Sequence, residues 1–351
     1  MIAVTEVKTI SIDEIEADHY LLFDVRSPKE FEEYHIPNAY NVSIFSNEER
    51  AEIGTLYKQD SKEAAMERGL QVVAPKLPSI YKEIHTKSKE HPEKKVVIYC
   101  ARGGFRSQSI AQTMNMIGMD TLQLDGGIRS YRKRIESAFR KMVAKPRNII
   151  VLEGHTGTMK TKLLKELQEE GYPVLNLEEM ARHKGSIFGN IGEHPSSQKK
   201  FESSLYERLK EIENSSSIII ESESKRIGRA VVPDFLLEGK YSGVRIHVEL
   251  PFHLRVQYIC NVYEPLLHKD EIVEAIQKLS RRLPPSVMAD IQENLKALHY
   301  DKVVSLLLEN YYDPKYDYAE QKYDSECIKL SSQSYQEMYS EVKKQLDRLL
   351  N

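Results

Sequence analysis

The stretch that most limits the fold of this chain is residues 95–109, KKVVIYCARGGFRSQ. An apolar run ends on Cys100, two adjacent glycines follow in a loop, and the next residues have the apolar spacing of a helix. The order strand, tight loop and helix is typical of parallel α/β sheets, whose ligands bind beyond the carboxyl ends of the strands. We therefore expect Cys100 to lie at the ligand-binding edge of such a sheet.

The neighbours of Cys100 predict a reactive thiol. Free N–H groups in the loop and the positive end of the helix dipole favour thiolate over thiol, and Arg102 and Arg106 add positive charge. Gly103 and Gly104 supply the tight turn. A free cysteine is more commonly a buried and inert hydrophobic residue. Two glycines and two arginines so close together favour a nucleophile instead.

Length and composition describe a globular chain of two domains. Its 351 residues are enough for two separate cores. The composition is 40% hydrophobic and 29% charged, and no apolar run is long enough to cross a membrane. The first residues carry acids where a secretory signal needs a basic start, so we expect a cytoplasmic protein. The three cysteines lie far apart, which argues against a cysteine-based metal site.

Basic residues are concentrated in one segment, residues 129–147. The formal net charge of −3 excludes a chain that binds nucleic acid through a globally basic surface, so any RNA contact needs a local patch. The segment contains eight lysines and arginines against the single acid Glu136, with Tyr131 and Phe139 between them. It is either such a patch or a solvated helix that links two domains. Both interpretations stay open.

The residues before this segment predict alternating strands and helices. LLFDVRSPKEF indicates a strand that ends at Asp24 and Arg26, followed by a short helix and a turn at residues 37–38. Further strands are expected at 96–99 and 121–124. This alternation predicts a parallel sheet that is covered on both faces.

Three segments of this first part together resemble the rhodanese family over residues 5–135: LLFDVRSPKEF, HIPNAYN and CARGGFRS. The resemblance implies that Cys100 carries sulfur or selenium as a persulfide or perselenide, in an active-site loop that includes Asp24 and Arg26. Five residues separate Cys100 from Arg106, the spacing that phosphatase-type rhodanese domains use to hold a phosphate. A separate hypothesis is therefore that Cys100 attacks a phosphoester or a phosphorus-bound chalcogen.

A second strand, loop and helix begin the rest of the chain, in residues 148–171. The loop fits the pattern G-x-x-x-x-G-K-[ST], except that Met159 replaces the second glycine. In this pattern the loop N–H groups and the lysine hold a diphosphate, and the hydroxyl reaches a metal. Met159 places a side chain where the backbone must turn tightly. The residues predicted to bind phosphate are Gly154, Gly157, Lys160 and Thr161.

The strand predicted from Ser217, in SIIIESESKRIG, ends in acidic residues. Glu221 and Glu223 lie where such folds place acids that coordinate a metal or orient a water. Three cations follow closely: Lys225, Arg226 and Arg229. They either neutralise the acids or bind phosphate, and both interpretations stay open because ion-pair networks resemble functional clusters.

Residues 178–209 are rich in glycine, serine and histidine, and they predict a mobile binding loop flanked by basic residues. A single histidine here, His183 or His194, is more commonly a surface residue than a catalyst. The residues predicted to contact RNA or a diphosphate are Arg182, His183, Lys184, Lys225 and Arg226.

After a strand at 244–250 the apolar spacing becomes helical over about residues 251–325. Four tyrosines in this part either stack on bases or pack in a core: Tyr258, Tyr263, Tyr311 and Tyr312. A returning strand, CIKLSS, and a closing helix complete the chain. We predict a rhodanese-like parallel-sheet domain over 1–136 and a P-loop NTPase-like α/β domain over 137–351, with a helical C-terminal part.

Nearly the whole chain resembles the tRNA 2-selenouridine synthase family, through YCARGGFRS, GHTGTMKT, RHKGSIFG, SQKKFE and ESESKRIG. Ala101, where the family usually has tryptophan, and Met159 depart from it. The resemblance implies that selenium from selenophosphate replaces sulfur in the wobble 2-thiouridine of tRNA, through an S-geranylated intermediate made from geranyl diphosphate. We expect no tightly bound cofactor, and Mg²⁺ as a possible companion of the diphosphate.

Two other functions fit the same motifs. One is a rhodanese-type sulfurtransferase or phosphatase fused to a nucleotide kinase or ATPase, in which Cys100 and Lys160 serve unrelated reactions. The other is a tRNA-binding module that has lost catalysis, for which Met159 is the only sign.

Overall fold

The computed structural model describes residues 7–16, 18–315 and 327–350. The chain divides into two compact units, Met1–Ala138 and Phe139–Asn351. Helix α6 (Ile128–Ala144) runs across this division, and the domain boundary predicted between residues 136 and 137 falls in the same helix.

The first unit contains a five-stranded sheet. Its strands follow the order β1, β5, β4, β2, β3, and every pair is parallel. The strands are β1 (Thr9–Ile10), β2 (Tyr20–Asp24), β3 (Tyr40–Asn41), β4 (Lys95–Tyr99) and β5 (Thr121–Leu124). The central strand β4 is buried from Val96 to Tyr99, as expected for a strand with both faces covered. The predicted parallel sheet is confirmed.

Helices connect these strands and cover the sheet. In addition to α6, they are α1 (Pro28–Glu33), α2 (Asn47–Gln59), α3 (Lys62–Val73), α4 (Leu77–Glu90) and α5 (Phe105–Met116). Helix α2 begins where the Ser46 side chain accepts from the Glu49 N–H, a capping box that satisfies two helix-end donors. Phe23, Ile98 and Met114 belong to the core between the sheet and the helices.

The second unit is built on another parallel sheet, with the strand order β12, β11, β6, β8, β7. A short antiparallel pair, β9 with β10, lies outside it. The strands of this unit are β6 (Asn148–Glu153), β7 (Val174–Leu175), β8 (Ser217–Glu221), β9 (Arg226–Ile227), β10 (Ala230–Val231), β11 (Val244–Glu249) and β12 (Cys327–Ser331). Strand β6 leads directly into the predicted phosphate loop, as the P-loop pattern requires.

The helices of the second unit form two groups. Those near the sheet are α7 (Lys160–Glu169), α8 (Leu177–Ala181), α9 (Gln198–Glu211), α10 (Asp234–Ser242) and the closing helix, α15 (Tyr335–Leu350). The predicted helical part contains α11 (Phe252–Tyr263), α12 (Lys269–Leu279), α13 (Pro285–Lys296) and α14 (Tyr300–Leu307), which continues as a π-helix over Leu308–Tyr312. This part has its own core. Its last predicted residues, 316–325, lie outside the described ones.

Candidate active site

Cys100 lies at the end of β4, in the loop that leads into α5, and its side chain is 3% exposed. The Ser107 hydroxyl, one turn into α5, donates to the Cys100 Sγ over 3.2 Å. The Gln123 amide on β5 donates to the Ser107 Oγ over 2.9 Å and to the Gly103 carbonyl over 2.8 Å. Gln123 therefore orients the hydroxyl and the loop that together surround the sulfur.

These contacts lower the pKa of the Cys100 thiol. Burial by itself raises it, but the hydrogen bond from Ser107, the N–H of Arg102 and the charge of Arg106 outweigh burial. The pKa of this thiol thus lies below its ordinary value, as expected for a nucleophilic cysteine. Sequence reasoning missed Ser107 and Gln123. The available signal was a glutamine inside the otherwise apolar strand TLQL, because a buried polar side chain needs a partner.

Two glycines give the Cys100 loop its shape. Gly127 has φ +56°, and a Cβ there would overlap the Cys100 carbonyl oxygen. Gly103 has φ +65°, and its Cβ would lie 2.8 Å from the Leu124 carbonyl oxygen. The turn after β5 therefore packs directly against the backbone of the cysteine loop. Gly104, by contrast, has nothing within 4 Å of a Cβ.

The predicted charged residues of this loop take different positions. Arg106 forms an ion pair with Glu30, with Nη1 and Oε2 separated by 2.9 Å. Arg102 is exposed. Asp24 and Arg26 form a buried pair, with Nη2 and Oδ2 separated by 2.6 Å, at the end of β2 beside the end of β4. Arg26 also donates to the Tyr34 carbonyl over 2.6 Å, so this pair braces the strand end.

In the phosphate loop the lysine is bound by the loop's own backbone. The Lys160 Nζ donates to the Gly154 carbonyl over 2.7 Å and to the His155 carbonyl over 3.1 Å. Burial lowers the pKa of Lys160, against the opposing charge of Glu178. A Cβ on Gly154, which has φ +148°, would overlap the Val248 carbonyl oxygen, so this loop also depends on a glycine.

Met159 occupies the position before α7, where the motif has glycine. Its φ of 62° and ψ of 23° are left-handed, which is the conformation that glycine adopts without a steric cost. The Met159 carbonyl still accepts from the Leu163 N–H over 2.9 Å, and the side chain packs against the core of the sheet. The substitution therefore keeps the turn of the loop and adds local strain.

Three carboxyl groups gather beside this loop. The Thr161 hydroxyl donates to Glu178 Oε2 over 2.8 Å, and the Glu178 N–H donates to Glu221 Oε1 over 2.6 Å. Burial, followed by the charge of Glu178, raises the pKa of Glu221 to about 8. Burial and the charges of Glu178 and Glu221 raise the pKa of Glu223 well above its ordinary value. Burial and the neighbouring charge therefore favour the protonated form of Glu221.

The cluster does not form the ion pairs that the sequence suggested. Lys225 lies 3.3 Å from Asp234, and the Glu223 carbonyl accepts from the Lys240 Nζ over 2.7 Å. Among residues 7–16, 18–315 and 327–350, no group of three or more histidine, cysteine or acidic side chains is arranged to hold a metal ion. A metal role for Glu221 and Glu223 stays a prediction. Glu178 had no signal in the sequence, because it lies 17 residues from its partner Thr161.

The segment after α8 covers these acids. A Cβ on Gly185 would overlap Glu178 Oε1. The buried His183 ring lies between Gly189 and Gly228. A Cβ on Gly189 would overlap the ring, and a Cβ on Gly228 would lie 2.6 Å from it. The Lys184 Nζ donates to a carbonyl within the segment over 2.9 Å. Of the five predicted contact residues, His183 and Lys184 thus hold the segment in place, whereas three are exposed: Arg182, Lys225 and Arg226.

Comparison with known proteins shows the family to which the chain belongs. A family model described as the tRNA 2-selenouridine synthase AAA domain matches residues 147–348, and a rhodanese-like domain model matches residues 10–134. A tRNA 2-selenouridine synthase from Nitrosomonas europaea is 34% identical, over 75% of this chain and 68% of its own. The chain belongs to the tRNA 2-selenouridine synthase family. Both predicted resemblances and the predicted fold class are confirmed.

Other relatives extend the match. A tRNA 2-selenouridine synthase from Shewanella woodyi is 29% identical over 92% of this chain and 95% of its own. A solved rhodanese-related protein from Thermoplasma volcanium is 19% identical and covers 36% of this chain and 92% of its own, with a TM-score of 0.23, which is too low to bear on the fold. In this family member, none of the described helices is long and apolar enough to cross a membrane.

The basic segment and the tyrosines of this family member are partly structural. Arg134 donates to the Ile12 carbonyl over 2.7 Å, and Arg147 donates to the Ile212 carbonyl over 2.7 Å. Tyr311 is buried in the core of the helical part, and Tyr263 and Tyr312 pack against the same core. These contacts favour packing over base stacking for those three tyrosines. RNA binding by residues 129–147 stays a prediction.

Proposed function

We propose that this chain is a tRNA 2-selenouridine synthase that replaces sulfur by selenium in the wobble 2-thiouridine of tRNA. Selenophosphate is the selenium donor, and the reaction passes through an S-geranylated intermediate made from geranyl diphosphate. The observation that carries this proposal is a thiol of lowered pKa, Cys100, in the same chain as a phosphate loop built around Lys160. Membership of the family supports the choice of tRNA as substrate.

The phosphate loop serves the geranylation step. The sulfur of 2-thiouridine attacks C1 of the geranyl group, a C–S bond forms, the C–O bond breaks, and the electron pair leaves with the diphosphate. The N3 proton of the base is released to solvent. The Lys160 ammonium and the N–H groups at the start of α7 stabilise that leaving group. Lys160 must exchange its bonds to the Gly154 and His155 carbonyls for bonds to phosphate. Alkylation also makes the sulfur a better leaving group.

Cys100 serves the selenium step. Its thiolate attacks the phosphorus of selenophosphate, an S–P bond forms, the P–Se bond breaks, and hydroselenide leaves with the electron pair. Hydroselenide then adds at C2 of the base and expels geranylthiol, and water returns the S-phosphocysteine to thiol and phosphate. Arg102 in the loop and Arg106 in the first turn of α5 are the cations that would bind the phosphate, and Arg106 must then exchange its ion pair with Glu30 for one with the phosphate.

A metal is given no step in this scheme. Mg²⁺ prefers several oxygen ligands in near-octahedral geometry. As arranged, the Thr161 hydroxyl donates to Glu178, and among the residues that the structure describes no three acidic, histidine or cysteine side chains are placed to hold an ion.

Two substitutions test the proposal by mass spectrometry of the modified tRNA. Cys100→Ser is expected to abolish selenium incorporation and to leave S-geranyl-2-thiouridine in place, since the phosphate loop is intact. Lys160→Ala is expected to remove both products. Cys260→Ser and Lys165→Ala are the matched controls and should behave as the unaltered chain does. Selenation by Cys100→Ser at the normal level would discard the assignment, and ATP turnover without tRNA would favour the fused kinase instead.

A further inference from the structure

An apolar cavity of about 60 Å³ lies in the helical part of the second unit. Side chains from α11, α12 and α14 form most of its wall, and Phe188 from the segment before α9 also lines it. Three of the aliphatic residues that line it are Ile276, Val304 and Leu307. Neither the family models nor the reaction proposed above assigns a role to this cavity.

The cavity shares a wall with the phosphate loop. Thr156, inside the loop, lines the cavity together with Ile259 of α11. A Cβ on Gly157 would lie 2.9 Å from the Ile259 Cδ1, so helix and loop are in close contact. The Arg255 Nε donates to the Thr156 carbonyl over 2.9 Å, and its guanidinium is fixed by Asp313, with Nη2 and Oδ1 separated by 2.6 Å. The loop is therefore fixed against the helices that form the cavity.

The lining suits a hydrocarbon. None of the side chains that line the cavity is charged, and the Ser186 and Tyr263 hydroxyls at its wall lie within hydrogen-bond distance of each other, at 3.2 Å. Apolar cavities bind small hydrocarbons, and an engineered cavity of roughly 150 Å³ is large enough for benzene. A cavity of about 60 Å³ therefore accepts only the end of a hydrocarbon chain, which makes it sensitive to chain length.

We propose that this cavity binds the hydrocarbon end of an isoprenoid diphosphate whose diphosphate lies in the phosphate loop, and that its size limits the chain length accepted. The proposal rests on the geranylation step above and adds the residues that select the substrate. Val304 is the specificity-determining residue that we would change first, because it lines the cavity but is only half-buried.

Calorimetry on the full chain tests this with three probes: inorganic pyrophosphate, geranyl diphosphate and farnesyl diphosphate. Each CH₂ group taken from water contributes roughly fourfold in affinity, so we expect geranyl diphosphate to bind at least about tenfold more tightly than pyrophosphate. Val304→Phe fills the cavity and should remove that preference while leaving the Kd for pyrophosphate unchanged. Val287→Phe, in α13 of the same core but outside the cavity lining, should keep the preference.

Val304→Ala provides a second variant that does not crowd the core. It widens the cavity and should raise the affinity for farnesyl relative to geranyl diphosphate, and an unchanged ratio would overturn the proposal. Equal losses in Val304→Phe and Val287→Phe would also overturn it, while leaving the geranylation step standing. If the unaltered chain bound geranyl diphosphate no better than pyrophosphate, the geranylation step itself would be wrong, and this inference would fall with it.

Discussion

The cysteine loop and the phosphate loop have the same local structure, but they differ in how their charges are balanced. Each follows a buried parallel strand, turns at glycines with positive φ and precedes a helix. In the first loop, Ser107 and the backbone direct donors at the Cys100 sulfur. In the second, the donors of Lys160 point at the loop's own carbonyls, beside carboxyl groups whose pKa values are raised.

The cysteine loop therefore already directs its hydrogen-bond donors at the anion it stabilises. In the phosphate loop, the donors of Lys160 are bonded to backbone carbonyls of the loop and not to a ligand. The thiolate is the anion of the first loop, so its hydrogen bonds already exist in the folded chain. The second loop must exchange internal bonds for bonds to phosphate, which costs part of the binding energy. We therefore expect the first loop to respond to changes in shape and the second to respond to pH.

The largest effect is expected from Gly127→Ala. The added Cβ would overlap the Cys100 carbonyl at a φ of +56°, so we expect a loss of about 3 kcal/mol in the free energy of unfolding of the first unit and loss of Cys100 alkylation. Urea unfolding and iodoacetamide labelling measure the two. Gly104→Ala is the control, because its Cβ would meet open space. Equal behaviour of the two variants would contradict the observed packing of the loop.

The next effect is a pH dependence of the second unit. The pKa of Glu221 is about 8 when folded, against an ordinary value of 4.5, so the folded chain holds more protons between these values. The contribution of Glu221 to the free energy of unfolding is therefore complete below about pH 4.5 and is lost as the pH rises toward 8. We expect the Tm of this unit to fall by roughly 10 °C between pH 5.5 and 8.5, from a loss of about 3 kcal/mol in its free energy of unfolding. Calorimetric scans of Glu221→Gln should show a smaller change of Tm with pH. Glu223, whose pKa is also raised, should account for the change that is left.

The control for the change of Tm with pH is Glu238→Gln. It alters an exposed glutamate on α10 and should leave the pH dependence of Tm as it is. A slope of the opposite sign in the unaltered chain would show that Glu221 is ionised when the chain is folded.

A smaller effect is expected from Ser107→Ala, which removes a hydrogen bond to the thiolate. The pKa of Cys100 then rises toward its ordinary value, and alkylation at pH 7 should slow by about tenfold, since a hydrogen bond to a charged group contributes about 1.5–3 kcal/mol. Ser109→Ala on the same helix is the control, because its hydroxyl donates to the Arg106 carbonyl. Peptide mass spectrometry follows the label. An unchanged rate would mean that burial, and not Ser107, governs this thiol.

The sequence was sufficient for the parts of the site that depend on neighbouring residues. An apolar run before a glycine loop predicted both strand ends, because a buried parallel strand is a continuous hydrophobic run. It was not sufficient for contacts made across the sheet. Gln123 reaches the cysteine loop from β5, and Glu178 reaches Thr161 from α8, and neither pairing follows from spacing along the chain.

Basic residues were the least predictable. Lys184 and Arg147 carry charges that suggested binding, but each donates to a backbone carbonyl of its own unit. The placement of His183 between two glycines depends on Gly228, which lies in the β9 to β10 turn and far along the chain. Local sequence identifies a charged residue, whereas the tertiary fold decides whether its donors face the protein or a ligand.

The smallest predicted effect concerns Met159 and separates conformation from packing. Its left-handed backbone disfavours any residue with a Cβ by about 1–2 kcal/mol, while its side chain packs against the core of the sheet. Met159→Ala loses the packing and keeps the strain, whereas Met159→Gly loses both. We therefore expect the glycine variant to be about 1 kcal/mol more stable than the alanine variant in urea unfolding.

Pyrophosphate should bind both variants with similar affinity, because the turn of the loop is the same in each. If the alanine variant were the more stable of the two, the backbone at this position would not be strained, and methionine here would be a neutral replacement for the glycine of the motif.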